Sequence, residues 1–118
     1  MGRAKAPFVK PLMTAPEVAR FLLESCESLQ GFDSFMFGSS LFGIGSDLDI
    51  LIVGPCGEPL AKLKGELRHA GKELPLDVLF MTPSEAAETG FVKREECITL
   101  AQLASGRGVS DGARDERP

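Results

Sequence analysis

Three aspartates in two apolar runs have the residue type and spacing that chemistry needs. Asp47 and Asp49 stand at alternate positions in Ser46-Asp47-Leu48-Asp49-Ile50, where an apolar run begins. Asp77 is the only charged residue of Pro75-Leu76-Asp77-Val78-Leu79-Phe80-Met81. In a strand, residues i and i+2 project from the same face, so Asp47 and Asp49 point together. If the two runs are neighbouring strands, Asp77 comes alongside them. Carboxylates drawn out of water are costly unless they are paired or bound to a cation. A set of hard oxygen donors calls for Mg²⁺ or Mn²⁺. Mg²⁺ is held by one or two carboxylates plus substrate phosphates, so a phosphate-bearing ligand is implied. The competing reading leaves each aspartate as a solvent-facing strand residue, with Asp77 on an edge strand after Pro75.

Gly38-Ser39-Ser40 supplies a place for that phosphate. It follows the apolar Ser34–Phe37 segment. A glycine lets backbone approach a ligand closely. Ser39 adds a hydroxyl, and the N–H groups that follow can form an anion-binding nest. Ser39 as a simple helix cap is the plainer alternative. Gly43 and Gly45 keep the rest of the loop narrow, and Ser46 sets the turn before Asp47. Lys93 and Arg94 read as a solvated charge run with Glu95 and Glu96, and are secondary candidates for phosphate contact. His69 reads as a surface histidine at a helix end, where a cation complements the dipole.

The elements that must position these residues follow from caps and periodicity. Thr14-Ala15-Pro16-Glu17 is a capping-box start, and Val18, Leu22, Cys26 and Leu29 form one helical stripe ending at Gly31. Ser34–Phe37 predicts a short strand, and residues 38–45 a loop with a helical turn inside it. Leu48–Val53 predicts a central strand, since its last four residues are all apolar. Glu58–Ala70 predicts a helix on the spacing of Leu60, Leu63, Leu67 and Ala70, capped by Gly71. Lys62, Lys64 and Arg68 occupy its polar face. Leu76–Met81 predicts a third strand, and Thr82-Pro83-Ser84-Glu85 a short helix or turn. In the segment 91–104, Cys97–Leu100 fits a short edge strand and Leu100–Ala104 a helical turn. The predicted fold class is a small single α/β (α+β) domain, with a mixed three- to four-stranded sheet flanked by helices. Residues 1–12 read as a lead-in, 13–104 as the domain, and 105–118 as a disordered polar tail.

The bulk numbers bound the function. The chain has 118 residues, 43% hydrophobic and 25% charged, with a net charge of -4. That fits one domain with one core and argues against a broad nucleic-acid surface. Three widely spaced cysteines, Cys26, Cys56 and Cys97, form no zinc motif, and the two flanking ones read as small core residues. With no signal-peptide pattern, they predict a reducing, cytoplasmic setting. No apolar run approaches the ~20 residues of a membrane span.

The ordered set Gly38-Ser39, Ser46-Asp47-Leu48-Asp49-Ile50 and Asp77 resembles the signature of the DNA polymerase beta-like nucleotidyltransferase superfamily. The likeness is nearest to its minimal nucleotidyltransferase domains and covers roughly residues 14 to 101. The resemblance implies a metal-dependent enzyme that transfers a nucleoside monophosphate, AMP from ATP, to a hydroxyl acceptor and releases pyrophosphate. It implies that Gly38 and Ser39, with Ser40 beside them, hold the terminal phosphates. Asp47 and Asp49 would bridge two Mg²⁺ ions, and Asp77 would complete the metal site nearest the acceptor. It points further to an acceptor on a partner protein in a toxin–antitoxin-like pair. Two features depart from the family pattern: Ser40 stands where a basic residue is frequent, and the connection from Ser39 to Asp47 is short. They motivate the alternative, a catalytically degenerate, antitoxin-like binding module that acts by association with a helical partner protein.

Overall fold

The computed structural model describes residues 14–42 and 47–106. The lead-in and most of the tail lie outside the described residues, as do Gly43, Gly45 and Ser46. Helix α1 spans Ala15–Ser25. The Thr14 hydroxyl accepts from the Glu17 N–H (3.3 Å), and the Glu17 carboxylate accepts from the Thr14 N–H (2.8 Å). Both halves of the capping box are therefore present, and they satisfy donors that a helix start leaves open.

The stripe predicted from Val18 to Leu29 does not stay α-helical. The α-helix ends at Ser25, and Glu27–Gly31 continues as a 3-10 helix. A tertiary contact accounts for the change. The Ser28 N–H and hydroxyl both donate to the Glu66 carboxylate, at 2.9 and 2.8 Å. That pull draws the segment toward α2 (Glu58–Ala70) while leaving Leu29 in the core.

The strands are β1 (Asp33–Met36), β2 (Leu48–Val53), β3 (Leu76–Met81) and β4 (Ile98–Thr99). They form one mixed sheet in the order β3-β2-β1-β4. β2 and β3 are parallel, joined through α2, while β1 pairs antiparallel with both β2 and β4. The fold is thus α+β, a four-stranded mixed sheet with flanking helices. Both expectations for residues 97–104 hold at once: β4 is a two-residue edge strand, and α5 (Leu100–Ala104) follows it directly. Between β3 and β4 come α3 (Pro83–Thr89) and α4 (Phe91–Arg94).

Alternation divides the sheet into two faces. Met36, Ile50, Ile52, Val78 and Phe80 point to the face covered by α1, α2 and α5. Leu22, Leu63 and Leu100 fill the space between, each fully buried, and burial of such a side chain contributes about 1.5–3 kcal/mol. Cys26 belongs to this core, and burial pushes its thiol up to about 11. Burial does the same to Cys97, reinforced by the Glu95 charge. Both are therefore neutral thiols near neutral pH and behave as small apolar groups. The other face carries Asp49, Leu51 and Val53 of β2 beside Asp77, Leu79 and Met81 of β3. Among the described residues, no helix is long and apolar enough to cross a membrane.

Candidate functional site

The pairing of β2 with β3 sets Asp49 directly beside Asp77 in a parallel register. Paired residues share a face, so the two carboxylates project together. Asp47 lies just ahead of β2 and is exposed. It is near enough to Asp49 for its charge to act on that carboxyl. Burial raises the Asp49 carboxyl above its ordinary range, the Asp77 charge raises it further, and the Asp47 charge adds a smaller push. Each cause penalises the ionised form. Among the described residues the one ion pair joins Arg94 to Glu95, so none of the three aspartates has a compensating cation.

A second feature of the site is the way β1 leaves the sheet. Phe37 sits opposite Asp49, continuing the register that pairs Met36 with Ile50. Its N–H donates to the Asp49 carbonyl at 3.1 Å. In an antiparallel pair of this kind, the return bond would run from the Asp49 N–H to the Phe37 carbonyl. Here the Ser40 hydroxyl stands in the way. The Asp49 N–H donates to Ser40 Oγ (3.1 Å), and Ser40 Oγ donates to the Phe37 carbonyl (2.7 Å). The inserted hydroxyl ends the ladder and lets the chain turn aside into the 3-10 turn Gly38–Phe42.

Gly38 makes that turn possible. Its φ is +72°, in the left-handed region. A Cβ at this position would lie 2.9 Å from Asp49 Oδ2, so the absence of a side chain is what admits the carboxylate beside the turn. Gly38 and Ser39 are both exposed at this end of the sheet. Ser40 is 2% exposed, and both hydrogen-bonding directions of its hydroxyl are used within the fold. The expectation that Ser40 shares in phosphate binding therefore finds no support in its hydroxyl, which braces the turn instead. Replacing it tests that role. Ser40→Ala leaves the Asp49 N–H without its acceptor, and an orphaned buried donor costs about 1–3 kcal/mol. Urea unfolding should register that loss. A loss below about 0.5 kcal/mol, the scale of an ordinary surface change, would remove the brace argument.

Aromatic contacts bring a cation to the same end of the sheet. The Phe91 ring meets the Phe37 ring edge-on, with centroids 5.1 Å apart. The Arg94 guanidinium lies 5.5 Å from the Phe91 centroid, held there by a bond from its Nη1 to the Thr89 carbonyl (2.9 Å). Phe37 is the cross-strand neighbour of Asp49, so two rings separate Arg94 from that aspartate, and the charges that act on the Asp49 carboxyl are those of Asp77 and Asp47. A charge run in sequence carries no sign of this placement. It depends on the Phe91 ring, which the Arg94 guanidinium overlies.

Asp49 and Asp77 are paired oxygen donors of the type a hard divalent cation takes, and the Asp77 and Asp47 charges act on Asp49 with no ion-pair partner for it among the described residues. Among the described residues no three His, Cys, Asp or Glu side chains are placed to hold one metal ion together, so Asp47 is not joined to this pair as a third ligand. An arrangement of this kind suits Mg²⁺, which takes few protein ligands and fills its shell from substrate and water. No family model matches the chain, and neither does any curated protein or solved structure.

Proposed function

We propose that this chain is a metal-dependent nucleotidyltransferase that moves AMP from ATP to a hydroxyl acceptor. The observation that carries the reading is the side-by-side placement of Asp49 and Asp77, without an ion-pair partner among the described residues, next to the glycine turn at Gly38. Gly38 and Ser39 would receive the terminal phosphates, where exposed backbone and one hydroxyl meet solvent. Asp47 and Asp49 would hold Mg²⁺ or Mn²⁺, with Asp77 on the acceptor side. When bound, the divalent ions supply charge stabilisation for the attacking and leaving oxygens. Asp77 orients the acceptor hydroxyl and takes its proton. The acceptor oxygen bonds to the α-phosphorus, the bond from that phosphorus to the bridging oxygen breaks, and pyrophosphate leaves with the electron pair. Arg94 adds positive charge near the phosphates, in place of the basic residue missing at Ser40.

Calorimetry with Mg²⁺–ATP tests the reading. Wild-type protein should bind, and Asp47→Ala/Asp49→Ala should abolish binding while leaving the circular dichroism unchanged. Arg94→Ala should weaken binding about five- to tenfold, the effect of losing one exposed charge-assisted contact. A folded wild-type protein that ignores Mg²⁺–ATP would defeat the enzyme reading and leave the antitoxin-like module paired with a helical protein.

A further inference from the structure

The open edge of the sheet lies on the other side of β3 from Asp49, and it is built unlike the rest of the surface. β3 is the outermost strand. Leu48 N–H donates to the Pro75 carbonyl and Gly54 N–H to the Met81 carbonyl. With the parallel register between them, alternation assigns the backbone groups of Asp77, Leu79 and Met81 to β2. Those of Val78 and Phe80 then face outward, with no backbone partner among the described residues. Within Leu76–Met81 the strand has no proline and no lysine, and its one charge, Asp77, projects from the face opposite Val78 and Phe80.

Along this edge runs an open groove of about 540 Å³. Leu76, Val78 and Phe80 form its floor, and Lys64, Arg68 and Lys72 line it from the α2 side. Lys64 and Arg68 stand one turn apart on α2, and Lys72 follows in the turn after its end. In a chain of net charge -4 they stand together with no carboxylate among the groove residues. None has an ion-pair partner among the described residues. The Lys64 ammonium instead rests 5.0 Å from the centre of the Phe80 ring.

We propose that this edge docks an acidic, extended segment of a partner protein, which adds to β3 as a fifth strand. Spacing supports the match. Four residues of helix advance about 6 Å, and two residues of strand advance about 6.6 Å. Carboxylates at alternate positions of an added strand therefore keep step with Lys64 and Arg68, and Lys72 extends the basic wall past the helix end. The intervening side chains fall on the opposite face, beside Leu79, which is 39% exposed. The segment that fits alternates acidic with apolar residues. A second copy of this chain is a poor occupant, because pairing β3 with β3 sets two basic walls against each other. A nucleic acid would satisfy the cations but leave the Val78 and Phe80 backbone groups without strand partners. The proposal does not depend on nucleotide chemistry.

The test uses the ¹⁵N-labelled full chain and a capped peptide alternating glutamate with valine. Addition of the peptide should shift the Val78 and Phe80 amides and slow their exchange with solvent. Arg68→Glu/Lys72→Glu alters two exposed side chains and should weaken binding at least about tenfold. The same peptide with lysine for glutamate should ignore the wild-type chain and bind that variant. Binding that is indifferent to the charge reversal, or that leaves both amides exchanging freely, overturns the proposal. So does a single-stranded oligonucleotide that competes with the peptide and binds more tightly through the same cations.

Discussion

Asp49→Asn should raise the melting temperature of the metal-free protein while abolishing its response to Mg²⁺–ATP. The two effects have opposite sign because one charge causes both. In the metal-free fold, the Asp49 carboxylate is partly buried and is repelled first by Asp77 and then by Asp47. Its folded pKa therefore lies above the unfolded one, and the ionised group costs stability at neutral pH. The penalty is relieved as pH falls through the carboxylate range, and asparagine removes it at every pH. The expected rise is a few degrees, since about 1 kcal/mol moves a domain of this size by roughly 4 °C. Mg²⁺ with ATP should stabilise the wild type by mass action and leave the variant unmoved. Asp33→Asn, an exposed change on the same sheet face, serves as control and should alter neither quantity. A variant that melts below the wild type would show that Asp49 contributes to the fold, contrary to the argument from repulsion.

The parts of the fold legible in sequence are those set by local chemistry. Thr14 and Glu17 announce a capping box three residues apart, and that box forms. Leu48–Val53 and Leu76–Met81 have the bounds their apolar runs predict. What escaped is what depends on distant partners. The break after Ser25 follows from Glu66 reaching Ser28, thirty-eight residues away in the chain. Nothing near Ser40 tells its role, because the hydroxyl fills a gap between two strands whose antiparallel pairing has first to exist. The meeting of Asp49 with Asp77 is intermediate. Each aspartate stands out from its apolar neighbours, but their alignment follows only once β2 and β3 are known to be adjacent and parallel. Arg94 reaches this end of the sheet through two aromatic rings, which no spacing rule encodes.

Gly38→Ala should damage ligand binding far more than stability, for reasons that can be separated. The backbone term is strain: a left-handed φ of +72° costs an L-residue about 1–2 kcal/mol. The second term is the contact at 2.9 Å between the new methyl group and Asp49 Oδ2. The atom struck is the far end of a side chain, so the carboxylate can swing aside at little cost to folding. Swinging aside removes it from the position where a cation would meet it, and Mg²⁺–ATP affinity should fall at least about tenfold, roughly 1.4 kcal/mol. The two terms come apart in an Asp49→Ala background, where no carboxylate remains to be struck. There Gly38→Ala should lower stability by the same amount as in the wild type, within about 0.5 kcal/mol, the limit of additivity. Equal losses would locate the strain in the backbone and the functional damage in the displaced carboxylate. A markedly larger loss in the wild-type background would mean that Asp49 is held too firmly to move. The glycine would then serve the stability of the fold, and its part in shaping a cation site would lose its support.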